Sequence, residues 1–94
     1  MMAKSAINSL VNRRHGRTLQ AIFANPVNGN IEWRRIEGLF RALGASRTER
    51  AGAAVSFELN GVVAQFHRPH PDKAALRYRV KDARAFLEQA GVGP

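Results

Sequence analysis

The stretch AAVSFELNGVVAQFH, residues 53–67, decides the fold. Ala53, Val55, Phe57 and Leu59 alternate with Ala54, Ser56 and Glu58; after Asn60-Gly61, Val62, Ala64 and Phe66 alternate with Val63, Gln65 and His67. A period of two puts every second side chain on one face of a strand. Asn-Gly between two such runs is a strong hairpin signal, because a type I′ turn needs positive φ at both central positions. With Asn60 and Gly61 as the turn, Leu59 faces Val62, Phe57 faces Ala64 and Val55 faces Phe66 on one buried face. On the other face Glu58 meets Val63, Ser56 meets Gln65 and Ala54 meets His67. A preceding edge strand is expected at about Ala45 to Arg50.

Outward from this hairpin the period changes to that of a helix. Between Ile31 and Leu43 the apolar residues Trp33, Ile36, Leu39, Phe40 and Leu43 form one stripe, with Asn30 as the expected cap and Gly44 as the stop. The polar face of this helix, Arg34, Arg35, Glu37 and Arg41, reads as solvated. Val80 to Ala90 carries a second stripe, Val80, Ala83, Phe86, Leu87 and Ala90, ending at Gly91. Thr18 to Ala24 makes two further turns with Thr18 as cap, broken by the Asn25–Asn30 loop. The two prolines of Arg68-Pro69-His70-Pro71 end the sheet. The expected architecture is an α+β two-layer sandwich: helix, three-stranded antiparallel sheet, helix. It forms a single domain over residues 18–94, preceded by a basic, mobile arm over residues 1–17.

The chain has 94 residues, 15 Lys+Arg against 7 Asp+Glu, a formal net charge of +8 and no cysteine. A domain of this size holds one small core and no separate cofactor domain, which excludes Rossmann, TIM-barrel and kinase readings. Without cysteine there is no disulfide framework, no thiolate zinc site and no Cys nucleophile. No apolar run is long enough to span a membrane and Met1 to Leu10 has no signal-peptide core, so a cytoplasmic protein is expected. The basic balance points to polyanions, with nucleic acid first and an acidic protein second. Residues 1–31 hold Lys4, Arg13, Arg14 and Arg17 and no acid, while the remaining positive charge is mixed with acids in the body.

The helix ending at Leu43-Gly44, the short strand, the Gly52-Ala53-Ala54-Val55-Ser56-Phe57 strand, the Pro69-His70 step and the closing Phe86-Leu87-Glu88-Gln89-Ala90-Gly91 helix together resemble the HicA toxins of bacterial toxin-antitoxin pairs. The resemblance covers roughly residues 31–92. It implies a double-stranded-RNA-binding-like fold, metal-independent mRNA endoribonuclease (mRNA interferase) activity and neutralisation by a HicB antitoxin. The family keeps a catalytic histidine at the head of the second strand in a Gly-Ser-His sequence; here those positions read Gly52-Ala53-Ala54. Three readings stay open: cleavage through another group, RNA binding without cleavage as a non-catalytic module, and an inactivated form.

Metal-free RNA cleavage needs a base for the 2′-hydroxyl, an acid for the leaving 5′-oxygen, and cations for the charged phosphorane. Histidine suits both proton roles near neutral pH. His67 is a candidate because the register sets it opposite Ala54, and His70 because it follows Pro69 at the strand end; His15 reads as a solvent-exposed residue of the arm. Arg68, Arg77, Arg79 and Lys81 are candidates for phosphate contact, joined by Arg13, Arg14 and Arg17 of the arm as a sequence-independent phosphate track. His67, His70 and Asp72 match no zinc spacing, so neither a metal nor a small-molecule cofactor is expected. RNA and an acidic HicB-like antitoxin are the expected partners. Trp33 and Phe40 fall on the core stripe and not on a base-stacking surface.

Overall fold

The computed structural model describes residues 12–94. Its elements are α1 (Arg13–Ile22), α2 (Trp33–Ala42), β1 (Ser46–Glu49), β2 (Ala54–Leu59), β3 (Val62–His67) and α3 (Arg77–Gln89). The strands form one antiparallel sheet in the order β1-β2-β3. The fold is α+β, with helices covering one face of a three-stranded sheet. Among the described residues, no helix is long and apolar enough to cross a membrane.

The hairpin adopts the register that alternation demands: Leu59 opposes Val62, Phe57 opposes Ala64, Val55 opposes Phe66 and Ala54 opposes His67. Asn60 and Gly61 take φ of 53° and 81°, the left-handed pair of a type I′ turn. The turn is also tied to the far end of the molecule, because the Asn60 amide donates to the Ala90 carbonyl at 2.8 Å. Gly44, at φ 92°, closes α2: its N–H reaches Arg41 O and the next N–H reaches Phe40 O, the paired bonds of a Schellman ending.

Two helix starts differ from the sequence expectation. Thr18 does not cap α1. The helix begins at Arg13, capped by the Asn12 side chain, which accepts from His15 N at 2.9 Å. Thr18 lies mid-helix and buried, donating its hydroxyl to Arg14 O and accepting from Arg35 Nε. Asn12 wins because its carbonyl oxygen can serve the orphan N–H groups one turn earlier. Arg13, Arg14 and Arg17 of the expected arm therefore stand on a helix; residues 1–11 of that arm lie outside the described residues. Nor does Asn30 cap α2. The first N–H groups of α2 are taken by the chain after β3: Trp33 N donates to Lys73 O at 3.0 Å and Arg34 N to Pro71 O at 2.9 Å. Ala75 N to Ile31 O at 2.7 Å and Leu76 N to Gly29 O at 3.0 Å continue the same clamp.

β1 is an edge strand whose inward positions are charged. Arg47 opposes core-facing Phe57 and Glu49 opposes Val55, so both lie on the helix-covered side. Inward charge on an edge strand discourages pairing with another chain. This also explains why the strand left only a weak apolar pattern in the sequence.

Phe66 is the centre of the core. Its ring meets Trp33 at 5.4 Å and Phe40 at 5.8 Å from α2, Phe57 at 6.2 Å from β2 and Phe86 at 6.4 Å from α3. Leu19 and Ile22 bring α1 into the same buried cluster. Tilted and edge-to-face contacts of this kind add to the area they bury. Phe66→Ala removes the residue shared by three elements and should cost about 3–5 kcal/mol, read as a lower urea midpoint with unchanged slope.

Candidate nucleic-acid interface

α2 follows the amphipathic pattern, burying Trp33, Ile36, Leu39 and Phe40 and leaving Arg34 and Arg41 exposed. The clamp described above lays residues 68–71 alongside this polar face. Between them opens a groove of about 720 Å³, lined by Trp33, Arg34, Glu37, Gly38, Arg41, Arg47, Arg68, Pro69, His70 and Pro71. Four arginines and one carboxylate form its charged lining, which makes it a seat for anions.

Glu37 organises the floor. Its carboxylate accepts from Trp33 Nε1 at 2.6 Å and from Arg47 Nε at 3.0 Å. Arg47 also donates to Glu49 at 3.1 Å, and Arg68 approaches the same Glu49 oxygen at 3.6 Å. The hydrogen bond from Arg47, followed by the charge of Arg68, holds the Glu49 carboxyl below the usual range. Two groove arginines are thus held in place by acids beside them. Arg41 has no ion pair among the described residues, and Arg34 has only a long contact of 3.8 Å to Glu32.

At the groove edge the His70 ring is hydrogen-bonded to the Asp72 carboxylate. That bond holds Asp72 below the ordinary aspartate range, with the charges of His70 and Arg34 acting in the same sense. A carboxylate on Nδ1 fixes the ring and leaves Nε2 as the free nitrogen, the arrangement used to orient a proton-transferring imidazole. The sequence signal for this pair was the His70-Pro71-Asp72 spacing.

The two candidate histidines are not brought together. His67 is exposed on the open face of the sheet opposite Ala54, whereas His70 lines the groove on the helix side. Among the described residues, no cluster of three His, Cys, Asp or Glu groups suits a metal.

A smaller groove of about 190 Å³ lies next to the first, lined by Arg14, His15, Thr18, Arg34, Arg35 and Gly38. Arg34 and Gly38 line both grooves. Gly38 has no side chain to stand between them, and a Cβ there would meet only His15 Cε1 at 3.4 Å. The result is a basic track from α1 across α2 to the chain after β3. Arg14 and Arg68 lie on this track. Arg34, Arg35, Arg41 and Arg47 do too, although their sequence pattern marks only a polar helix face or an edge strand. Arg13 and Arg17 are exposed on α1 outside its lining, and Lys81 is exposed on α3. Arg77 lines a separate groove near the start of α3. Arg79 has a structural contact: its guanidinium donates to His67 O at 2.7 Å and to Ala75 O at 3.2 Å.

In comparisons with protein-family models, curated proteins and solved structures, the chain matches none. The site is defined by its own geometry.

Because the folded pKa of Asp72 is depressed, its contribution is present above the ordinary aspartate pKa and is lost as pH falls through the lowered value. An NMR pH titration should place the Asp72 carboxyl midpoint below that of an ordinary aspartate. His70→Ala should raise it toward the ordinary range.

Proposed function

We propose that this chain is an RNA-binding domain of the HicA toxin type, whose basic track from α1 across α2 to residues 68–70 seats the phosphate backbone. The observation that carries the reading is the lining of the main groove, four arginines against one glutamate, extended past Gly38 by Arg14 and Arg35. Planar guanidinium groups suit phosphate oxygens, and a row of them contributes affinity without regard to base sequence. A HicB-type antitoxin with an acidic surface would neutralise the protein by covering the same track.

The second reading, RNA cleavage, is favoured by the His70–Asp72 pair at the edge of the arginine groove. Ala54, at the position where the family keeps its histidine, has a methyl group that cannot move a proton. In a cleaving enzyme His70 would take the proton of the 2′-hydroxyl, the 2′-oxygen would attack phosphorus to form the 2′,3′-cyclic phosphate, and the bond to the 5′-oxygen would break, that oxygen leaving with a proton from water. Arg41 and Arg68 would stabilise the phosphorane charge. Asp72 would act as a positioning residue for the His70 ring.

Fluorescence anisotropy with structured RNA tests binding. Affinity should fall steeply with salt, and Arg41→Ala should flatten the slope by about one ion. Gly38→Glu, whose Cβ would meet only His15 Cε1 at 3.4 Å and whose carboxylate would stand on the track, should weaken binding to every RNA while leaving the thermal midpoint nearly unchanged. A native protein that binds no RNA at low salt would sink the assignment. In EDTA, cleavage abolished by His70→Ala but retained in His67→Ala supports the enzyme; binding without cleavage supports the non-catalytic module.

A further inference from the structure

Outside the basic track, the junction of α3 with the preceding loop carries a second feature. Leu76 and Tyr78 are 51% and 55% exposed, two of the three large apolar side chains left in solvent among the described residues. They lie on either side of Arg77, at the rim of a groove of about 580 Å³ whose opposite wall is Val27, Asn28, Gly29 and Asn30. Among the described residues, no acidic side chain lines this groove.

The display of these side chains is built into the backbone. Leu76 has φ of 74°, a strained conformation for a residue with a bulky side chain. It is held there by Leu76 N to Gly29 O, Ala75 N to Ile31 O, and Val80 N to Leu76 O. The two walls approach so closely that a Cβ on Gly29 would sit 2.9 Å from Arg77 N. Tyr78 is braced from one side: the Arg79 guanidinium lies 4.7 Å from its ring centroid and is itself pinned to His67 O and Ala75 O. A ring presented in this way offers a second flat surface outward, next to the Arg77 cation that lines the same groove. On the opposite wall Asn28 Oδ1 is occupied by Asn30 N, which leaves the Asn28 NH₂ group to donate.

We propose that the Leu76–Tyr78 ledge binds an unpaired nucleotide of an RNA strand, its base stacked on the outer face of Tyr78 and its phosphate on Arg77. Every base has a flat face, so a single exposed aromatic next to cations recognises single strands without sequence preference. The Arg77 cation, and a lining that holds no acid among the described residues, favour this occupant over an apolar peptide. The inference rests on the RNA-binding reading and adds a subsite: the arginine track holds the backbone of structured RNA, and the ledge holds a base that has left the stack.

Two RNAs test it, a blunt hairpin and the same hairpin with a short single-stranded extension, with binding read by anisotropy. Tyr78→Ala should weaken binding to the extended RNA by roughly tenfold and leave the blunt hairpin unchanged. Tyr78→Phe should retain native affinity, and an abasic extension should lose as much as Tyr78→Ala does. Tyr78 is the one tyrosine of the chain, so its ring protons also report on the native protein: they should move upfield on adding the extended RNA, as stacking requires. Equal affinity of Tyr78→Ala and native protein for the extended RNA, or an equal loss on both RNAs, overturns the ledge while the track reading stands. If the native protein binds neither RNA, both readings fall.

Discussion

The docking of residues 71–76 onto the start of α2 is the constraint on which the rest of the molecule depends. An α-helix begins with N–H groups that have no partner inside it. Here Lys73 O and Pro71 O accept two of those from α2, and Ile31 and Gly29 return two carbonyls to Ala75 and Leu76. One set of four backbone bonds therefore has three consequences. It caps α2, it lays His70 and Arg68 against the polar face of that helix, and it fixes the strained entry into α3. The aromatic core supplies the stability, but this exchange of backbone bonds sets where the loop after β3 runs, and so where the arginine groove and the groove beside Leu76 lie.

Arginine serves two purposes in this fold, and the difference follows from what its guanidinium meets. Arg84 donates to Ile22 O and Ala24 O at the end of α1, Arg79 joins β3 to α3, and Arg50 lies over Ser56 on the open sheet face. These groups saturate backbone or side-chain oxygens that the sequence could not supply locally, which suits five donors on one planar head. Arg47 and Arg68 are held by Glu37 and Glu49 at one end of the sheet. Arg34 and Arg41 keep most of their donor capacity. The net charge of +8 therefore overstates the charge available to a partner and hides its concentration along one track.

The hairpin was readable in full because its information is local: a period of two and an Asn-Gly turn fix register before any tertiary contact forms. The stripes of α2 and α3 were readable for the same reason, although their ends moved by up to three residues. The start of α1 was misplaced because Asn12 and Thr18 are both good caps in isolation, and burial of Thr18 under Arg35 is a tertiary fact. The arginine groove was largely unreadable. Arg34 and Arg41 look like any solvated helix face, and Arg47 sits on an edge strand whose inward charge contradicts the apolar alternation that marks strands. Of the groove, only Arg68 and His70 carried a signal, from the Pro-His step.

The sequence alone therefore determined the class of fold, the pairing of β2 with β3, the faces of α2 and α3 that enter the core, and the excess of positive charge. These depend on periodicity, turn chemistry and composition, all of which act over a few residues. Tertiary structure alone decided that His67 and His70 lie on different sides of the sheet, that Asp72 holds His70, that Gly38 joins two basic grooves, and that Tyr78 is braced outward beside Arg77. Each of these depends on where a loop of fixed length comes to rest against a helix distant in sequence. That position is set by unpaired backbone donors and acceptors finding one another, a condition no local pattern encodes.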